Sequence, residues 1–239
     1  MILIRSTLFN VTFFGLTLVL IGPAMLVRAL APQRVLGFAS AWAGMVIGAC
    51  RLLCGIRYEL VGRENLPDGP ALIASRHQSA FDTLIWMTLV PRPCYVLKLE
   101  LRKLPMFGAL TETAGMIAVD RNAGANALRA LMRDGEAAAR DGRQIVIFPE
   151  GTRSEPGTML PLQPGIAALA ARTGLPVIPV ATDSGHFWGR RAFFKRPGTI
   201  RIVIGEALPP GLRREAMMRA LEQGMTMPGE TPVRPSTPA

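Results

Sequence analysis

Residues 76–82 read RHQSAFD, and two of them, His77 and Asp82, put a base and a carboxylate five positions apart in a chain with only two histidines. A carboxylate that holds one imidazole nitrogen fixes the tautomer and leaves the other nitrogen to accept a proton. On a continuous helix, residues five apart point about 140° away from each other. The pair therefore meets only in a turn. The flanks predict one: ALIAS (71–75) reads as a strand and TLIWMTLV (83–90) as a helix. Strand-to-helix turns are where α/β sheets place reactive groups. The spacing also has a plain structural reading, because an aspartate at a helix start is an ordinary cap. Ser79, two residues from His77, reads as a turn hydroxyl, and the sequence has no G-x-S-x-G elbow to supply an enzyme nucleophile.

A second stretch, IVIFPEGTRS (145–154), runs from an apolar strand straight into polar residues. Gly151 permits a tight backbone path, Thr152 and Ser154 offer hydroxyls, and Arg153 offers a planar fork for phosphate. A third, GMIAVDR (115–121), is another strand ending in charge; Asp120 and Arg121 are either a surface pair worth little or a means of bringing Arg121 to the same sheet edge as Arg153. A fourth, VIPVA (177–181), reads as a buried strand. His186, in DSGHFWGRR, belongs to a loop whose Trp and Arg suit a lipid interface. Arg190, Arg191, Lys195 and Arg196 suggest either an anionic-lipid patch or a solvated face, the patch being slightly favoured.

The elements that position these residues follow from composition and periodicity. The 239 residues are 49% hydrophobic and 18% charged, with net charge +10. A basic balance on so apolar a chain points to anionic lipid rather than nucleic acid. Aromatics are only 6%, and no nucleic-acid-binding pattern is present. Arginine outnumbers lysine 24 to 3, which supplies forked phosphate binders. Cys50, Cys54 and Cys94 are odd in number and lack metal-ligand spacing, so packing is their expected role and no metal site is expected.

Residues 6–27 carry no charge between Arg5 and Arg28. As a helix they reach about 33 Å, enough for a hydrocarbon core. Residues 35–50 form a second apolar run, about 24 Å as a helix, which is short for a full span. A signal peptide fits poorly, because the apolar region is long and Arg28 interrupts it before Ala29-Leu30-Ala31. Two full spans would place Arg28 and Arg34 outside, against the positive-inside tendency. The expectation is a helical hairpin partly embedded in the bilayer, or one span with an interfacial helix, with the remaining chain on the cytosolic side of the inner membrane.

From about residue 57 short apolar runs alternate with helical stretches. Strands are predicted at 58–61, 71–75, 95–98, 116–119, 145–148, 177–180 and 200–204. Helices are predicted through Leu128, Leu131 and Met132 to about Gly142, over 165–173, and over 212–223. The fold class is therefore α/β, a mixed sheet flanked by helices, with an N-terminal membrane-embedded helical hairpin. The expected domains are 1–56, the membrane anchor; 57–225, the α/β domain that carries the four polar stretches; and 226–239, a Pro-rich tail expected to be disordered.

In order and spacing, RHQSAFD, GMIAVDR, FPEGTRS and VIPVA resemble the four blocks of the glycerolipid acyltransferase family, the 1-acylglycerol-3-phosphate (lysophosphatidate) acyltransferases. The first and third blocks are specific together, and the blocks cover residues 72–181. CYVLKLELRKLPMFG, before the second block, resembles that family's lysine-containing stretch. The resemblance implies that His77 is the catalytic base and Asp82 its orienting carboxylate. It places phosphate binding on Lys98, Arg121 and Arg153, and links Glu150 and Gly151 to acceptor binding and site shape. The implied reaction moves an acyl group from acyl-CoA or acyl-ACP, as co-substrate without further cofactor, to the sn-2 hydroxyl of a lysophospholipid at a phospholipid membrane. Alternatives are another lyso-lipid acceptor such as lyso-ornithine lipid, a thioesterase, and, from a different class, a non-catalytic lipid-binding protein. Two departures stand out: Arg76, where the family usually has Asn, which is expected to affect headgroup choice, and Ala118, where a bulkier apolar residue is common.

Overall fold

The computed structural model describes residues 1–233. Its elements run α1 (Ile2–Leu30), α2 (Val35–Ala49), β1 (Ile56–Val61), β2 (Ala71–Ser75), α3 (Phe81–Leu89), β3 (Pro93–Lys98), α4 (Leu99–Arg102), α5 (Phe107–Thr113), β4 (Ile117–Val119), α6 (Ala125–Arg140), β5 (Gln144–Ile147), α7 (Gly165–Thr173), β6 (Val177–Thr182), β7 (Gly198–Ile204) and α8 (Arg214–Gly224). All seven predicted strands are present, with boundaries moved by no more than two residues. The short helices α4 and α5, in the stretch after Lys98, carry no amphipathic period long enough to announce them.

The strands form one sheet in the order β1-β7-β6-β2-β5-β3-β4. Every neighbouring pair is parallel except β6 and β7. The central strands β2, β5 and β6 are buried throughout, which explains their unbroken apolar runs: a parallel strand covered on both faces has no solvent side to alternate toward. Pro179 is tolerated inside β6 because its carbonyl, and so its missing N–H, faces the last rung of β7 at Gly205.

Register aligns the ends that matter. Ala74 pairs with Ile147, Tyr95 with Val146 and Lys98 with Val119, so β2, β5, β3 and β4 all run out at one sheet edge. Because β7 is antiparallel to β6, its first residues, and those of β1 beside it, lie at that same edge.

The two N-terminal helices form the expected hairpin. The second is longer than the apolar run implied: after α2 it continues through a π-helical turn, Cys50–Cys54, so residues 32–54 make a 23-residue segment long and apolar enough to cross a membrane, as is Ile2–Leu30. Trp42 donates its indole N–H to Thr17 Oγ1 (3.2 Å), and the Cys54 thiol lies 3.8 Å from the Arg5 carbonyl oxygen, which fixes the antiparallel pairing. Ile4, Leu8, Val11, Leu18 and Leu26 leave an exposed apolar stripe along α1. A stripe this long is a membrane-association surface.

The boundary near residue 56 separates roles but not cores. Phe9, Val35, Ala43, Val46, Cys50 and Cys54 of the hairpin share one buried cluster with Phe81, Leu84, Ile85 and Trp86 of α3 and with Ile200 and Ile202 of β7. Both ends of α1 are also tied to the domain. Near its start, Ser6 Oγ accepts the Lys195 N–H (2.9 Å) and Asn10 Oδ1 accepts from Lys195 Nζ (2.8 Å). Near its end, Arg28 Nε donates to Thr113 Oγ1 of α5 (2.9 Å).

These contacts remove Lys195 from the lipid patch expected at residues 190–196, while Arg190, Arg191 and Arg196 stay exposed. Lys195 is buried, with its ammonium also donating to the Ala192 and Phe193 carbonyls and lying over the Phe9 and Trp188 rings. Trp188 is buried as well, edge-on to Phe9 at 5.1 Å between centroids, so this indole holds α1 and is not available to headgroups. The stretch expected to be disordered differs too. Val233 exchanges backbone hydrogen bonds with Gly157 and Met159, and Glu230 forms an ion pair with Arg76; residues 234–239 lie outside the described residues. The tail's polar composition conceals a carboxylate with a buried partner.

Candidate active site

Residues 76–80 leave β2 and turn into α3, and Asp82 shapes that turn. Its Oδ2 accepts the backbone N–H groups of Gln78 and Ser79, both at 2.7 Å, and lies 3.3 Å from His77 Nδ1. One buried carboxylate oxygen thus closes the turn and holds the imidazole. Ser79 is fully buried and its Oγ accepts the Phe81 N–H (3.1 Å), the turn role expected of it. With Nδ1 facing Asp82, Nε2 is left to act as a base, and it has no hydrogen-bond partner among the described residues. The His77 side chain keeps 12% exposure, against 3% for Asp82.

The third block packs on His77 from the side of β5. The imidazole lies against the Phe148 ring, 4.2 Å between centroids and 23° from parallel, and Tyr95 stands behind Phe148 at 6.3 Å. The Tyr95 hydroxyl donates to the Thr83 carbonyl (2.7 Å), so two rings and α3 fix the imidazole plane. Glu150 Oε2 accepts the His77 backbone N–H (2.9 Å), and Ser154 returns its own N–H to the His77 carbonyl (2.8 Å). The two blocks are therefore tied reciprocally through His77's own backbone. Burial pushes the Glu150 carboxyl above the usual range, opposed by the His77 N–H, by the Ser154 hydroxyl and by the Arg76 charge. Its Oε1 has no well-aligned partner. Gln78, buried beside His77, accepts the Gly185 N–H (3.1 Å) and ties the β6–β7 loop to the same turn.

The basic residues gather around this turn to different degrees. Arg121 follows β4 at the sheet margin, and its guanidinium reaches back to donate to the Gly151 carbonyl. Partial burial lowers its pKa, with Glu100 acting against that. Arg153 is half-buried. Desolvation lowers its pKa, Asp82 counters this, and Arg190 and Arg191 add to it. That places Asp82, Arg190 and Arg191 within electrostatic reach of Arg153. Lys98 ends β3 at the same edge with its side chain exposed, and Thr152 is exposed on the turn. The clustering of Arg190 and Arg191 with Arg153 had no local signal in the sequence; the antiparallel return of β7 brings their loop to this edge. The Phe148 and Tyr95 stack was likewise invisible as a sequence pattern.

Arg76 does not face the headgroup position anticipated for it. Its side chain is fully buried and directed at Glu230 and at the Thr158 carbonyl. Gly151 has the backbone its type implies, with φ +72°, and a Cβ there would stand 3.1 Å from Arg121 Nη1. Gly151→Ala is therefore expected to destabilise the protein by about 1–2 kcal/mol, the cost of left-handed backbone for an L-residue, and to displace Arg121. Denaturant melts of the two proteins measure the first effect, and an unchanged midpoint would contradict it. Among the described residues, no group of three or more His, Cys, Asp or Glu side chains is placed to hold a metal ion.

A histidine–carboxylate pair thus stands at the carboxyl edge of a mixed sheet, with Arg153 within electrostatic reach of the carboxylate. A family model described as Acyltransferase matches residues 57–183, more than half of the chain, and the chain belongs to that family. In particular, it is 40% identical over 167 residues to the 1-acyl-sn-glycerol-3-phosphate acyltransferase of Pseudomonas aeruginosa, a match covering 70% of this chain and 65% of the relative. It is 29% identical over 169 residues to the human 1-acyl-sn-glycerol-3-phosphate acyltransferase beta, covering 70% of this chain and 61% of that protein. Both matches span less than two thirds of the relative's length. The crystal structure of the 1-acyl-sn-glycerophosphate (LPA) acyltransferase PlsC from Thermotoga maritima aligns with a TM-score of 0.75 at 25% identity, over 93% of this chain and 94% of that one.

Proposed function

We propose that this chain transfers an acyl group from a thioester, acyl-CoA or acyl-ACP, to the sn-2 hydroxyl of 1-acylglycerol-3-phosphate, giving phosphatidate. The observation that carries this reading is His77 Nδ1 held by a buried Asp82 with Nε2 left over, next to Arg153 at a sheet edge. Nε2 removes the hydroxyl proton as that oxygen attacks the thioester carbon. The carbon–oxygen bond forms, the carbon–sulfur bond breaks, and the proton passes from the imidazolium to the departing thiolate. Asp82 stabilises the imidazolium meanwhile, and such general-base assistance is worth about 100- to 10,000-fold. No acyl-enzyme is needed, and Ser79 is consumed in the turn.

Arg153 and Arg121, with Lys98 at the end of β3, hold the acceptor phosphate and so orient its hydroxyl. Arg153→Ala is expected to raise the lysophosphatidate KM by about 10- to 100-fold, the worth of one charge-assisted hydrogen bond, with a smaller change in kcat. Steady-state kinetics measure it, and an unaltered KM would remove Arg153 from the phosphate site. A panel of lyso-lipid acceptors with both donors tests the substrate assignment. Preference for a lyso-lipid without phosphate, such as lyso-ornithine lipid, would overturn it.

The hairpin lies partly inserted in the inner membrane, with the catalytic domain on the cytosolic side. The Arg28–Thr113 hydrogen bond supports this, because a helix that carried its far end across a bilayer would take Arg28 away from α5. Exposed Leu104 and Met106, between α4 and α5, and Phe107 at the start of α5 give an acyl chain an apolar approach to the same edge. Sideways entry avoids carrying that chain through water, at about 0.8 kcal/mol per CH₂.

A further inference from the structure

The residue preceding His77 is a fully buried arginine, and a buried guanidinium must be paired or it disrupts its surroundings. Arg76 Nη1 lies 2.5 Å from Glu230 Oε2, and its Nη2 donates to the Thr158 carbonyl (2.9 Å). Glu230 in turn accepts the Gly157 N–H through Oε1 (3.0 Å) and the Met227 N–H through Oε2 (3.4 Å). Its own segment continues into the backbone bonds between Val233 and residues 157–159. The C-terminal segment is thus a strap laid over the loop that follows Glu150 and Arg153, and its one carboxylate reaches in to the residue beside the base.

A second carboxylate lies within electrostatic reach of Arg76. Glu150, which holds the His77 backbone N–H, is buried, its Oε1 makes no well-aligned hydrogen bond, and the Arg76 charge acts on it; Arg76 Nε likewise makes none. Among the described residues, the guanidinium's hydrogen bonds go to Glu230 and to the Thr158 carbonyl.

We propose that Glu230 is a positioning residue for the acyl transfer assigned above: by engaging Arg76 it keeps the guanidinium off Glu150, so that Glu150 stays on the His77 N–H and the imidazole stays aligned. The proposal rests on the reading of His77 as the base. Once Glu230 is lost, Arg76 turns to the open oxygen of Glu150, draws the carboxylate from His77, and shifts the imidazole. The acceptor phosphate site, built on Arg153 and Arg121, is touched less, so the defect lies in kcat.

The test uses the full chain in detergent or membranes, with lysophosphatidate and an acyl thioester. Glu230→Ala is expected to lower kcat by about 10- to 100-fold, the range for a misplaced reacting group, with KM changed by no more than about twofold. Glu230→Asp recovers most of the turnover. Arg76→Met combined with Glu230→Ala also recovers it, because without the guanidinium there is nothing to restrain. A merely structural strap would lower the melting temperature of Glu230→Ala while leaving kcat per folded enzyme unchanged. That result, or a double variant as slow as Glu230→Ala, would overturn the proposal. Should Glu230→Ala fail to fold, Glu230→Gln, which keeps the side-chain length and one acceptor oxygen and removes the charge, carries the same comparison. His77→Ala is assayed alongside. If it turns over normally, the base assignment fails, whereas the rescue pattern of the Glu230 variants reports on the strap alone.

Discussion

His77→Ala is expected to cut acyl transfer by about 100- to 10,000-fold, the usual worth of a positioned general base, while the protein stays folded and membrane-bound. The reason for the large effect is that nothing near the imidazole can replace it. The neighbouring carboxylates, Asp82 and Glu150, are both buried and do not reach an incoming hydroxyl, whereas the imidazole keeps an exposed edge. The fold should survive because the ring's one hydrogen bond, to Asp82, is long, and the turn is closed by Asp82 and the backbone amides without it. Initial rates with lysophosphatidate and either donor give the answer, together with a thermal melt. Turnover within about tenfold of the parent would dismiss His77 as the base.

Removal of residues 1–56 is expected to yield an aggregated chain instead of a soluble catalytic domain. The hairpin covers Phe81, Leu84, Ile85 and Trp86, all now nearly inaccessible to solvent. Exposing each large apolar side chain costs about 1.5–3 kcal/mol. A few of them together match the whole stability of an ordinary domain, about 5–15 kcal/mol. Solubility in detergent-free buffer and cooperative melting of the truncated chain decide it. A soluble product with a sharp transition would mean that the shared core is dispensable.

The division of the chain into strands was legible because β2, β5 and β6 are apolar without interruption, and a fully covered parallel strand leaves that mark in the residues themselves. His77 and Asp82 were legible for a related reason: scarce residue types stood between a strand pattern and a helix pattern, where only a turn could join them. The unity of the hairpin and the domain was not. Ala43 and Val46 look the same whether they face lipid or Trp86, since both surroundings are apolar. Lys195 and Trp188 misled for the converse reason: a cation and an indole suit a headgroup layer and a buried socket equally well, and only the approach of Phe9 decides between them. The partnership of Arg76 with Glu230 spans 154 positions, and no local pattern records it.

The tethering of α1 at both ends has a consequence for the lipid. A spanning helix must satisfy two water boundaries, and it tilts or deforms the bilayer when its length and the hydrocarbon thickness disagree. In the partly inserted arrangement proposed above, a hairpin fastened to the domain near Ser6 and again at Arg28 meets only one such boundary. Its immersion depth is set by the protein's own framework. The reacting edge therefore keeps one height above the lipid surface in thin and thick bilayers alike, and turnover should be indifferent to the chain length of the host lipid as long as the substrate itself is unchanged.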